Sequence, residues 1–226
     1  MAGSDWGGVQ VIGSSTTQST PRAKGGKIPV YLPLDLPSVV LKLSGRKAAK
    51  ERFHKAQAMR SVIQSEGLSS LVIPRGRLYK EFSVEDRLPV RIDAKHNAMI
   101  YLHNKSLFDL PVRQMTRLFA KAYIDYLVEL DSDRKEILRV RYDNIPFYIT
   151  QEGVKFGLID LERSKIGSNV KKMEHKIFIL VSMFPFHSDI IKEEIKNSHM
   201  TFGEKEEQVM EKAVFYGKRY LERCAE

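Results

Sequence analysis

The spacing of apolar residues in this chain changes near position 109, and that change limits the folds open to it. Before it, apolar residues gather in short runs: "IPVYLPL" (28–34), "SVVLKL" (38–43), "SLVIP" (70–74), "EFSVED" (81–86) and "AMIYLH" (98–103). Short runs rich in β-branched and aromatic residues, bounded by turn formers, predict strands. The exception is 45–65, where Phe53, Ala56, Met59 and Ile63 recur at three- and four-residue steps and Gly67 is a stop signal, so a helix is expected there. From Asp109 the helical steps take over. Asp109 and Pro111 are start signals, and Met115, Leu118, Phe119, Ala122, Tyr126, Leu127 and Leu130 form one stripe.

Further helices are expected over about 169–184, 188–197 and 203–224. Two apolar segments interrupt the helical half, "IPFYI" (145–149) and "KFGLI" (155–159), with "TQEG" between them as a hairpin turn. A β-rich half followed by a helical half predicts an α+β arrangement in two lobes. The expected division is a flexible leader over 1–27, a β-rich N-lobe with one helix over 28–104, and a mostly helical C-lobe over 105–226 with a β-hairpin near 145–160. The leader is assigned from its Gly, Ser and Thr content and its lack of periodicity; Trp6 falls within it and receives no role.

Composition excludes several classes. No apolar run approaches the roughly 20 residues of a membrane-crossing helix, and the first residues carry no apolar core of a secretory signal. The single cysteine, Cys224, rules out an internal disulfide framework and fits a reducing, cytoplasmic setting. Six histidines (54, 96, 103, 175, 187, 199) show no HExxH or close pair, so a zinc site is not expected. "SMFPFHSDII" (182–191) reads as a buried interhelical corner in preference to a peptide-docking groove. The net charge of +9, with an excess at Lys42, Arg46, Lys47, Lys50, Arg52, Lys55 and Arg60, favours anionic partners. A nucleic-acid-binding domain is one reading of that excess. A solvated basic helix face is the plainer one, because no aromatic stacking motif accompanies it.

One ordered set of residues stands out. Lys42 lies between apolar residues in "VVLKL", a helix follows at once, two strands end in "VEDRL", and a long helix comes next. Then "RYDNIPFYI", a turn and "FGLIDLE" form the hairpin, with Asp160 at its close. This order resembles the protein-kinase fold, including its small-molecule and lipopolysaccharide-kinase relatives, over roughly 28–165. The resemblance implies ATP and magnesium as cofactors, with Lys42 on the α/β-phosphates. It implies a hinge at 85–88, so Glu85 and Arg87 fall at the adenine edge, and Asn144 and Asp160 as magnesium ligands. Phosphoryl transfer needs charge neutralisation more than covalent chemistry, so one ammonium and two oxygen ligands are a minimal kit.

The sequence departs from the family where catalysis would need it most. The place of the family's catalytic aspartate, five residues before Asn144, holds Arg139, and a guanidinium cannot accept a proton. The magnesium motif reads Asp160-Leu161-Glu162. The helix after Lys42 has Gln57 near the position of the expected glutamate, with Glu51 and Glu66 off that register. No Gly-x-Gly-x-x-Gly precedes Lys42. The reading is therefore a pseudokinase that works through a protein partner, with nucleotide affinity as a residual property. An active atypical ATP- and magnesium-dependent phosphotransferase using Asp160, Asn144 and Asp143 is the enzymatic alternative, and the basic nucleic-acid-binding domain is the third.

Overall fold

The computed structural model describes residues 9–12, 30–33, 36–43, 45–79, 82–90, 93–122, 124–125, 145–159, 161, 165–166, 173–198 and 201–226. In chain order they form strands β1 (Val9–Ile12), β2 (Val30–Pro33) and β3 (Val39–Leu43), helix α1 (Gly45–Ser65), and strands β4 (Leu71–Val72), β5 (Gly76–Leu78) and β6 (Phe82–Asp86). Helices α2 (Ala94–His103) and α3 (Asp109–Ala122) follow, then β7 (Ile124–Asp125), β8 (Phe147–Thr150), β9 (Gly153–Gly157) and β10 (Lys165–Ile166). Helices α4 (Met173–Met183), α5 (Ser188–Asn197) and α6 (Glu204–Ala225) complete the set. The class is mixed α+β, as the patterning predicts. None of the helices among the described residues is long and apolar enough to cross a membrane.

The chain divides into two compact units, Met1–Gln57 with Pro74–Pro89 and Ala58–Ile73 with Val90–Glu226. Of the span 28–104, residues 58–73 and 90–104 fall in the second of these units.

The first unit is built on one antiparallel sheet of order β1-β2-β3-β6-β5. Two of its strands lie where the sequence suggests none. Val9–Ile12, within the expected leader, pair with Val30–Pro33. Gly76–Leu78, between the expected strands 70–74 and 81–86, pair with Ser83–Glu85. A Cβ at Gly76 would sit 3.1 Å from Glu85 Cγ and 3.2 Å from the Val84 oxygen, so glycine serves close strand approach there. Helix α1 ends as expected. Gly67 takes φ +63°, and the N–H of Leu68 donates to the Ile63 carbonyl at 2.9 Å, a Schellman closure.

In the second unit, "AMIYLH" is helical, correcting the strand expected there. A six-residue apolar run does not separate helix from strand by periodicity alone. The Asp93 carboxylate decides it by accepting the His96 N–H at 3.0 Å as N-cap, and the buried residues Asn97, Ala98 and Tyr101 follow a helical step. Helix α3 begins at Asp109 as predicted and ends at Ala122, so it is shorter than the stripe suggests; Tyr126, Leu127 and Leu130 lie outside the described residues. The hairpin is present, with Thr150 opposite Gly153 and Gly153 at φ +114°. Its inner strand β9 also pairs in parallel with β4. Buried side chains secure this small sheet: the Asn97 carboxamide oxygen accepts the Phe147 N–H, and that of Gln114 accepts the Ser70 N–H at 2.7 Å.

Tyr101, Phe108, Phe147, Phe156 and Phe184 pack as one aromatic core, each at most 2% exposed. The "SMFPFHSDII" segment is the buried corner the sequence suggests. Phe184 enters the core, and His187 Nδ1 lies 2.8 Å from the Tyr101 hydroxyl. His187 Nε2 faces the Lys105 carbonyl (3.1 Å) and the Asp109 carboxylate (3.2 Å), which only accept, so in the neutral ring Nε2–H donates and Nδ1 accepts from Tyr101. Burial lowers the His187 pKa, partly opposed by Asp109 and the Lys105 carbonyl.

Helices α4 and α6 cross at Gly217, where a Cβ would lie 2.5 Å from the Ser182 carbonyl oxygen and 3.1 Å from the Pro185 ring. A backbone oxygen cannot step aside as a flexible side chain can. Gly217→Ala is therefore expected to cost about 3 kcal/mol, at the upper end for overpacking, measured by urea unfolding. A loss under about 0.5 kcal/mol, the range of an ordinary surface substitution, would show that the helices separate freely.

Candidate functional site

The geometry that draws together sequence-predicted residues lies in the first unit. Lys42 on β3 stands opposite Ser83 on β6, and Val40 stands opposite Glu85. Because side chains two apart on a strand share a face, Lys42, Ser83 and Glu85 project from the same side of the sheet. Lys42 Nζ reaches Glu85 Oε2 diagonally at 3.0 Å. From α1, Arg52 meets the same carboxylate, its Nε donating to Glu85 Oε1 at 3.2 Å and its Nη2 to the Ser83 hydroxyl at 2.5 Å. The Ser83 hydroxyl in turn donates to Oε1 at 3.0 Å.

Lys42 is 9% exposed and Arg52 3%, so these are interior charges. Burial by itself would raise the Glu85 pKa. The Lys42 and Arg52 cations, with hydrogen bonds from Lys42 and Ser83, outweigh that and hold the carboxyl below its ordinary value. One donor is left over: among the described residues Arg52 Nη1 is buried without a hydrogen-bond partner. A buried unsatisfied donor costs on the order of 1–3 kcal/mol and calls for an explanation.

Of the residues the resemblance implies for a nucleotide, Lys42 and Glu85 are in direct contact with each other, through side chains. The lysine's carboxylate comes from the strand, where the family resemblance places it on the helix. The N–H groups of Asp86 and Arg87 donate to the carbonyls of Arg75 (2.8 Å) and Ser38 (2.7 Å), so both amides are committed within the unit. The Arg87 guanidinium is exposed and approaches the Pro37 carbonyl at 3.4 Å. The proposed metal ligands Asn144 and Asp160 adjoin the hairpin segment 145–159 on either side and lie outside the described residues. Among the described residues no group of three or more His, Cys, Asp or Glu side chains could hold a metal ion.

Sequence reasoning missed Arg52 and Ser83. The signal for Arg52 was its helical phase: Ala49, Arg52, Ala56 and Met59 fall on one face of α1, and Ala49, Arg52 and Met59 are buried. An arginine on the inward stripe of a helix demands an anion. Ser83 had the strand counterpart of that signal, two residues before Glu85 on one face. Neither a protein-family model nor a curated protein sequence matches the chain.

Proposed function

We propose that the chain is a divergent kinase-like domain acting as a pseudokinase. It works by binding a protein partner, keeps nucleotide affinity as a residual property, and does not turn substrate over. The first unit is read as the β-rich lobe and the second as the helical lobe. The observation that carries this reading is the engagement of Lys42 by Glu85. A strand lysine that must meet phosphates in catalysis is here held by a carboxylate of the neighbouring strand, while the helix presents Arg52 to the same group.

The order of elements supports the kinase-like part. One helix is inserted in an antiparallel sheet between β3 and β5. Helices α2 and α3, a short β7, the β8–β9 hairpin and β10 pairing back with β7 follow. Asn144 and Asp160 flank that hairpin in the sequence, and Arg139 stands where a proton acceptor is required. For partner binding, Leu110 and Phe215 on the second unit, 55% and 58% exposed, offer apolar contact area.

Thermal-shift titration with ATP, with and without magnesium, and a phosphotransfer assay test the reading together. Expected are a small ATP-dependent stabilisation and no turnover above that of an Asp160→Ala variant. Robust turnover abolished by Asp160→Ala would replace the pseudokinase with the active phosphotransferase.

A further inference from the structure

The donor set around Glu85 is that of an oxyanion receptor. An ammonium (Lys42), a guanidinium edge (Arg52 Nε) and a hydroxyl (Ser83) converge on one carboxylate from β3, α1 and β6. The carboxylate has two oxygens, and both are used: Oε1 by Arg52 and Ser83, Oε2 by Lys42. A tetrahedral oxyanion offers three or four oxygens where a carboxylate offers two, so it can give Lys42, Arg52 Nε and Ser83 an oxygen each, where Arg52 and Ser83 now share Oε1. The fixed and the movable parts differ as well. Arg52 is locked by burial and by Ser83, whereas the Glu85 side chain is 15% exposed and has rotatable bonds along which to leave.

We infer that Lys42, Arg52 and Ser83 form a phosphate-binding site that the Glu85 carboxylate occupies from within, and that a phosphate group of a ligand takes the carboxylate's place. Glu85 is then an internal competitor that keeps affinity low in the resting chain. The inference goes beyond the pseudokinase reading by assigning the contact to Arg52, and it rests on that reading only for the source of the phosphate, a nucleotide. If the cluster were purely structural, removing Glu85 would weaken the fold and no anion would restore it.

The test uses the full chain without metal. Wild type and Glu85→Gln are titrated with inorganic pyrophosphate at constant ionic strength, by calorimetry and thermal melting. Glu85→Gln is expected to bind about tenfold tighter, the weight of one charge-assisted hydrogen bond relieved of competition, and to gain more in melting temperature than wild type. Adding Arg52→Met should remove the gain. Adding Arg77→Gln, which deletes the same charge from the exposed face of β5, should leave it. Ser83→Ala on the Glu85→Gln background gives a second reading of the site if the Arg52→Met combination does not fold, and it too should reduce the gain. Equal binding by wild type and Glu85→Gln, or a gain that survives both Arg52→Met and Ser83→Ala, overturns the inference. Comparing ATP with tripolyphosphate separates the sources. Tighter ATP binding supports a nucleotide, whereas equal binding keeps the site and overturns its nucleotide assignment.

Discussion

Glu85→Ala is expected to destabilise the first unit by about 3–5 kcal/mol, the range for removing one partner from a buried charged cluster. The substitution strips the carboxylate from Arg52, which is 3% exposed, and takes from Lys42 its contact at 3.0 Å. Contrast Glu152, which pairs with Lys155 at 2.8 Å but is 79% exposed. Its removal should cost no more than about 1 kcal/mol, since water replaces the lost partner. Chemical unfolding of the two variants side by side makes the comparison. If Glu85→Ala cost as little as Glu152→Ala, the cluster would be a hydrated surface pair.

The pH dependence has a definite sign. The folded-state pKa of Glu85 is depressed, so its contribution is fully present above the ordinary glutamate value, about 4.3. It is lost as pH falls through the lower, folded value. The stability difference between wild type and Glu85→Gln should therefore be flat at neutral pH and shrink only in acid.

Phe184→Ala is expected to cost the second unit about 3–5 kcal/mol, because the ring is fully buried and its loss opens a cavity. Phe184 stacks on Phe156 with centroids 5.3 Å apart and meets Tyr101 edge-on at 5.4 Å. Removing it therefore loses ring–ring attraction in addition to apolar burial. Two residues on, Phe186 is 44% exposed and touches Lys105 and Lys218 through their ammonium groups, at 4.5 and 5.5 Å from the ring centroid. Phe186→Ala should cost only about 0.5–1 kcal/mol, the range of an exposed cation–π contact. Urea unfolding of both variants, followed by near-ultraviolet circular dichroism, reads the contrast. Comparable losses would mean that the corner in solution does not sort the two rings.

Which of those two phenylalanines is structural illustrates where local reasoning stops. They sit in one short segment with the same side chain, and it is the approach of Phe147 and Phe156 from distant parts of the chain to Phe184 that tells them apart. Helix α1, the start of α3, the span of α5 and the hairpin turn at "TQEG" were legible because their causes are local: a three-to-four-residue stripe, a cap and a glycine at positive φ. Strand β1 and strand β5 were not, since each is defined by a partner strand and neither has a strong pattern of its own. Helix α2 was misread because its decisive signal, the Asp93 cap, stands outside the apolar run.

The candidate site divides the same way. That Lys42 lies in an apolar strand, that a helix follows it, and that "VEDRL" closes a later strand were properties of the sequence alone, fixed by short-range propensity. The identity of the lysine's carboxylate was not. Pairing β3 with β6 in its particular register sets Lys42 across from Ser83 and diagonal to Glu85, and the phase of α1 turns Arg52 inward to the same group. Charges from three elements meet only when the sheet and helix are assembled, because strand register and helix rotation are set by burying apolar faces and not by the charges themselves.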